Sequence, residues 1–248
     1  MNKIATNAYH ISTTGLLIAF LLVLTGCAAP RLAANPAVYD FGPNLVPSTS
    51  APQGQQPTLM LSEPQASPAL EGTAVLYRLA YADAQQLKPY ALARWSMPPA
   101  QLIGQRLRQV LSQHRAVVAP GELLQANPQR LFNPNGAAVA ANPAAVIPPA
   151  AAPPAPPPLL HLRIDLEEFS QLFDTPNTSH ALLRLRATLT QRGVGSETLL
   201  AQHSFVLQHP APSADAAGGV RALTASADAV VLALEAWLAQ VAPKGVGH

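Results

Sequence analysis

The chain has 248 residues, of which 49% are hydrophobic, 11% are charged and 26 are proline, with a formal balance of +2. A globular domain usually carries about 25% charged residues, so this surface is neutral and offers no electrostatic footprint for nucleic acid. The basic residues are scattered, which excludes a polybasic membrane patch, and the single cysteine permits neither an intrachain disulfide nor a Cys-based metal site.

Residues 1–26 read as a secretory signal. Lys3 lies in a short n-region, and the apolar run 16–24 falls short of the roughly 20 residues that span a bilayer. The run ends in Leu24-Thr25-Gly26-Cys27, which looks like a bacterial lipobox: an apolar residue and two small ones precede the cysteine that becomes the lipidated N-terminus. Small residues let the signal peptidase hold an extended backbone close to its active site. Each buried methylene is worth about 0.8 kcal/mol, and two or more acyl chains hold a protein on a bilayer stably. Residues 27–36 are then a lipidated tether, and the body faces the periplasm without a transmembrane helix. Ala28 follows the cysteine, and the enteric sorting rule sends such a lipoprotein to the outer membrane in preference to the inner. The covalent lipid on Cys27 is the one attached group expected, with no cofactor.

Two stretches read as unable to pack. Residues 43–71 carry six prolines among Ser, Thr, Gln and Gly, a composition that buries too little apolar surface to offset ordering entropy, and are expected to be a loop or extended linker. Residues 126–158 end in Pro153-Pro-Ala-Pro-Pro-Pro158, which favours polyproline II, and are expected to be a disordered insertion.

Between and after them the periodicity is regular. A β-rich run at 73–81 and a second strand at 90–95 precede prolines that suit the first turn of a helix. Leu102, Ile103, Arg106, Leu107, Val110 and Leu111 then recur at helical spacing, predicting a helix at about 98–113. A short strand follows at 116–119. Leu160, Leu162, Ile164 and Leu166 alternate with polar residues, and the phase slips at Glu167 and Glu168 toward Phe169 and Phe173, as a β-bulge would make it. Ala181, Leu183, Leu185, Ala187 and Leu189 begin a hairpin that turns at 193–195 and returns through 199–208. A final helix at about 216–241 carries Val220, Leu223, Ala227, Val230, Leu234, Trp237 and Val241 on one stripe. The fold expected is α+β, an antiparallel sheet of four to six strands with two helices on one face. It forms one domain at 37–241 and leaves 242–248 as a tail.

No contiguous catalytic or nucleotide-binding motif is present, and the seven histidines show no metal-ligand spacing. A hydrolase or metal enzyme would have to be assembled from distant parts, so no catalytic residue and no metal ligand is assigned and the chain is expected not to be an enzyme. His161 lies in the polar phase of its strand and reads as solvated. His203, in phase with Phe205, reads as a core or interface side chain. Glu167 and Glu168 are better explained by a bulge with one solvated carboxylate than by an acid pair. Tyr77, Tyr81, Tyr90 and Trp95 cluster within nineteen positions, a density typical of a core but also of an interface with one wet end.

The lipobox, the segment Val38-Tyr-Asp-Phe-Gly42, the run Tyr77-Arg-Leu-Ala-Tyr81 and Lys88-Pro-Tyr-Ala-Leu-Ala-Arg-Trp95 with its following prolines together resemble the ABC-type transport auxiliary lipoprotein family, which includes the paraquat-inducible C protein. The Arg94 and Trp95 pair ahead of a Pro-led helix carries most of the likeness. The Glu168 and Phe169 corner, the strand ending at Phe205 and the last helix with Trp237 extend it. The two Pro-rich stretches depart from the family pattern. The resemblance implies a non-enzymatic auxiliary of an envelope phospholipid transport system. Its partners would be an MCE-domain protein and an ABC permease and ATPase, and a ring of subunits is one arrangement. It also singles out Tyr77, Tyr81, Tyr90, Arg94 and Trp95 as partner-binding candidates. The alternative is an assembly lipoprotein that scaffolds an outer-membrane complex without moving lipid.

Overall fold

The computed structural model describes residues 35–43, 56–121, 159–193 and 196–242. The signal segment, the lipobox with Cys27, all but the end of the tether and the Pro-rich stretch at 126–158 lie outside the described residues. In chain order the strands are β1 (Ala37–Tyr39), β2 (Leu59–Leu61), β3 (Gln65–Ala66), β4 (Ala74–Leu79), β5 (Ala84–Trp95), β6 (Val117–Val118), β7 (Leu159–Thr175), β8 (Thr178–Arg192) and β9 (Glu197–Pro210). The helices are a single turn, α1 (Ala80–Asp83), and two long ones, α2 (Pro99–Leu111) and α3 (Ala216–Val241).

The seventeen-residue β7 is the trunk of the sheet. On one edge it pairs antiparallel with β8, which pairs antiparallel with β9. On its other edge β2, β3 and β4 follow one another from its start to its end, all parallel to it. Beyond them β6 adds to β2 in parallel, while β5 adds to β4 antiparallel and β1 to β5 in parallel.

The α+β class read from the sequence holds. The sheet is mixed and has nine strands among the described residues, more than the antiparallel four to six expected. Parallel pairing between distant segments leaves no hairpin signal, so β1, β2 and β3, and their pairing with β5, β6 and β7, were not legible. The expected linker at 43–71 is corrected over its described part, 56–71. Leu59, Met60 and Leu61 are each at most 1% exposed, because β2 lies between β7 and β6. Three consecutive apolar residues suffice where both neighbours supply backbone partners.

The alternation in β7 is realised as read. Leu160, Leu162, Ile164 and Leu166 face the core, the register shifts between Leu166 and Glu168, and Phe169 and Phe173 resume the buried phase. Ala181, Leu183, Leu185, Ala187 and Leu189 of β8 join the same core. The stripe of α3 packs on β8 and β9, with Val220, Leu223, Ala227, Val230 and Leu234 buried and Trp237 and Val241 at its margin. The length and apolarity of α3 would allow it to cross a membrane, and this buried stripe accounts for them. Asp215 caps its start, the carboxylate accepting from Gly218 N–H at 2.6 Å. In α2, Leu102, Ile103, Leu107 and Leu111 enter the same core, while Arg106 pairs with Asp228 of α3 at 3.0 Å and donates to the Phe41 carbonyl at 2.6 Å. Burial raises the Asp228 carboxyl above the usual carboxylate range, and the Arg106 charge partly offsets that.

Candidate functional site

The strand β5 pairs antiparallel with β4, with a register shift between Ala74 and Leu76, and its last residues alternate between the two faces of the sheet. Ala93 and Trp95 are buried; Leu92 and Arg94 are exposed. Trp95, 1% exposed, meets Phe41 edge-on at 5.7 Å and Phe169 at 5.6 Å. Three segments of the family resemblance, around Phe41, Trp95 and Phe169, thus converge on one aromatic core cluster. As a partner-binding candidate Trp95 is corrected: its indole is interior.

Tyr77 and Tyr90 form a second cluster farther along β7. Their rings lie 4.5 Å apart, and Tyr77 meets Phe173 edge-on at 5.9 Å. The Tyr90 hydroxyl donates to Gln171 Oε1 at 2.8 Å, and Gln171 Nε2 donates to Ser179 Oγ at 2.7 Å. Burial first, then the neighbouring Tyr77 and Asp215, push the Tyr90 phenol above its ordinary value, so it remains protonated and donates. Both rings are half-buried, whereas Tyr81 on α1 is 49% exposed and Arg94 is exposed on β5. The five candidates therefore do not make one surface. Tyr77 and Tyr90 share a polar and aromatic node, Trp95 is core, and Tyr81 and Arg94 are free to meet a partner.

The carboxylates at the bulge separate. Glu168 takes a salt bridge from Arg78 at 3.0 Å and the Ser170 hydroxyl at 2.7 Å, while Glu167 pairs with Arg186. Neither is the solvated carboxylate expected. His203 is exposed at the sheet edge, yet its ring lies 4.6 Å from Phe205 and 6.2 Å from Trp237.

The polar face of the sheet holds a row that sequence reading missed. His161 Nε2 lies 2.6 Å from Ser62 Oγ, just past β2, and His161 Nδ1 lies 2.8 Å from Glu197 Oε1 at the start of β9. The Thr190 hydroxyl donates to the same Glu197 oxygen at 2.5 Å. That hydroxyl and then His161 hold the Glu197 carboxyl below its usual value. His161, 13% exposed in its side chain, is thus engaged on both nitrogens and not solvated as expected. The four residues come from positions 62, 161, 190 and 197, and only the parallel pairing of β2 with β7 brings the first beside the second.

Two hollows among the described residues measure about 110 and 190 Å³. Pockets for small molecules usually run to about 300–1,000 Å³, so neither is a cavity that could enclose a lipid. No group of three or more His, Cys, Asp or Glu positioned to hold a metal occurs among the described residues.

No protein-family profile and no curated protein matches the chain. Its fold is similar to that of protein XCC0632 from Xanthomonas campestris, described as DUF330. That structure has a TM-score of 0.57 and 17% identity, over 83% of this chain and 96% of the other. An uncharacterized protein scores 0.49 at 12% identity, over 82% and 99%. Lipoprotein GNA1162 from Neisseria meningitidis scores 0.26 at 12% identity, over 74% and 99%.

Proposed function

We propose that this chain is a lipid-anchored auxiliary of an ABC-type phospholipid transport system in the Gram-negative envelope. The observation that carries the reading is the single cysteine, Cys27, placed at the end of Leu24-Thr25-Gly26 directly after an apolar run. Acylated there, the domain is tethered by about ten residues, at most ~3.3–3.6 Å each, and acts within roughly 35 Å of its membrane.

The folded body supports a role by binding. Phe41, Trp95 and Phe169 are spent on the core, and neither hollow has room for a lipid. What remains for a partner is surface: Tyr81, Arg94, Leu92 and Val38 are exposed near the β1 and β5 edge or on α1. The partner is an MCE-domain protein with its permease and ATPase, and the outer membrane is the favoured site of anchoring.

Cross-linking in native envelopes, followed by identification of what co-purifies, tests this with Cys27→Ala as the control. Recovery of an MCE-domain protein, permease and ATPase above the control is the expected result. Recovery of outer-membrane proteins alone would replace the transport role with an assembly scaffold.

A further inference from the structure

We propose that Ser62, His161 and Glu197 form a nucleophile, base and orienting carboxylate that hydrolyse carboxylic esters on the polar face of the sheet. This activity is separate from docking. Contiguous motifs and histidine spacing do not register a site drawn from three distant strand ends.

The hydrogen bonds fix one protonation pattern. Glu197 is held ionised by the Thr190 hydroxyl and His161, so the proton on the ring sits on Nδ1 and is donated to Glu197 at 2.8 Å. Nε2 is then the free lone pair, and it accepts the Ser62 hydroxyl at 2.6 Å. This is the relation a serine nucleophile needs with its base, with the base oriented by a third group. Thr190, 8% exposed, pins the carboxylate from beneath.

The surroundings fit an acyl ester. Arg163 follows two residues after His161 on the same side of β7, exposed and near enough to Glu197 to bias its ionisation, and it supplies positive charge toward a developing oxyanion. Leu199 pairs in register with Thr190 and is 61% exposed, an apolar surface for the acyl chain. The face is open, so the substrate is a short ester or an ester end presented from outside, not an enclosed lipid.

In the reaction Ser62 Oγ attacks the ester carbonyl carbon as its proton passes to His161 Nε2. The carbon–oxygen bond to the alcohol breaks, and Nε2 returns the proton to the leaving alkoxide. Water then attacks the acyl-Ser62, giving its proton to Nε2. The bond to Oγ breaks, the proton returns to Oγ, and the carboxylic acid leaves. Ser62 and His161 are the catalytic residues. Glu197 is a positioning residue, because it acts through His161.

The test uses the full chain extracted from membranes in detergent, treated with a fluorophosphonate and assayed with p-nitrophenyl butyrate. Peptide mapping is expected to place the phosphonyl adduct on Ser62. Ser62→Ala and His161→Gln are expected to lower turnover by about 10²–10⁴-fold with an unchanged circular dichroism spectrum. Glu197→Gln is expected to alter the pH profile of turnover, and Glu197→Asp to restore it in part. A wild-type chain with no adduct on Ser62, or turnover no higher than that of Ser62→Ala, would overturn the proposal. The mapping reads the wild type, so it decides even if a variant fails to fold.

Discussion

Tyr90 donates its hydroxyl hydrogen to Gln171 Oε1 at 2.8 Å across 81 residues of sequence, and Gln171 itself is fully buried. Removing the donor leaves a buried amide oxygen without a partner, which costs about 1–3 kcal/mol. Tyr90→Phe keeps the ring against Tyr77 and is expected to lower unfolding free energy by that amount in a urea titration.

The same amide leaves no room on α3. A Cβ at Gly219 would stand 2.0 Å from Gln171 Oε1, so the helix approaches β7 only because 219 is glycine. Gly219→Ala would ordinarily favour a helix by about 1 kcal/mol. Here it is expected to destabilise, with a lower Tm by calorimetry, and Gln171→Ala in the same chain should relieve the loss.

Trp95 is a packing residue of the core. Its truncation to alanine is expected to cost about 3–5 kcal/mol, read by chemical denaturation. An unchanged stability with lost partner capture would mean that the indole lies at an interface.

Asp215 sets a pH dependence. Its carboxyl is held below the ordinary value first by the Gly218 N–H and then by the Ser213 hydroxyl. A depressed folded pKa contributes stability above the unfolded value, near 3.9, and loses it as pH falls through the lower folded value. Asp215→Ala is expected to cost about 0.5–2 kcal/mol at pH 7, and the gap from wild type should close below about pH 4.

The sequence made the long elements legible because each repeats its own period. The alternation of β7 and β8, the bulge at Glu167 and the stripe on α3 are local patterns, and each holds in the structure. Leu59–Leu61 sits in a stretch whose prolines argue for a linker, and its place between β7 and β6 depends on segments far away in the chain. The Ser62, His161 and Glu197 row was hidden for the same reason. Alternation placed His161 on the polar face but could not say what faces it there. Of the partner-binding candidates, alternation alone allowed Trp95 either side of β5. Burial against Phe41 and Phe169 decided it.

The central claim, that this folded body works at a membrane surface through Cys27, is tested most directly by the intact mass of the chain extracted from envelopes. The expected result is a mature chain beginning at Cys27 and carrying a diacylglyceryl group and an N-acyl chain, with Cys27→Ala unlipidated, released from the membrane fraction and still folded. An envelope-derived chain with an unmodified Cys27, or a Cys27→Ala form that stays membrane-bound, would contradict it.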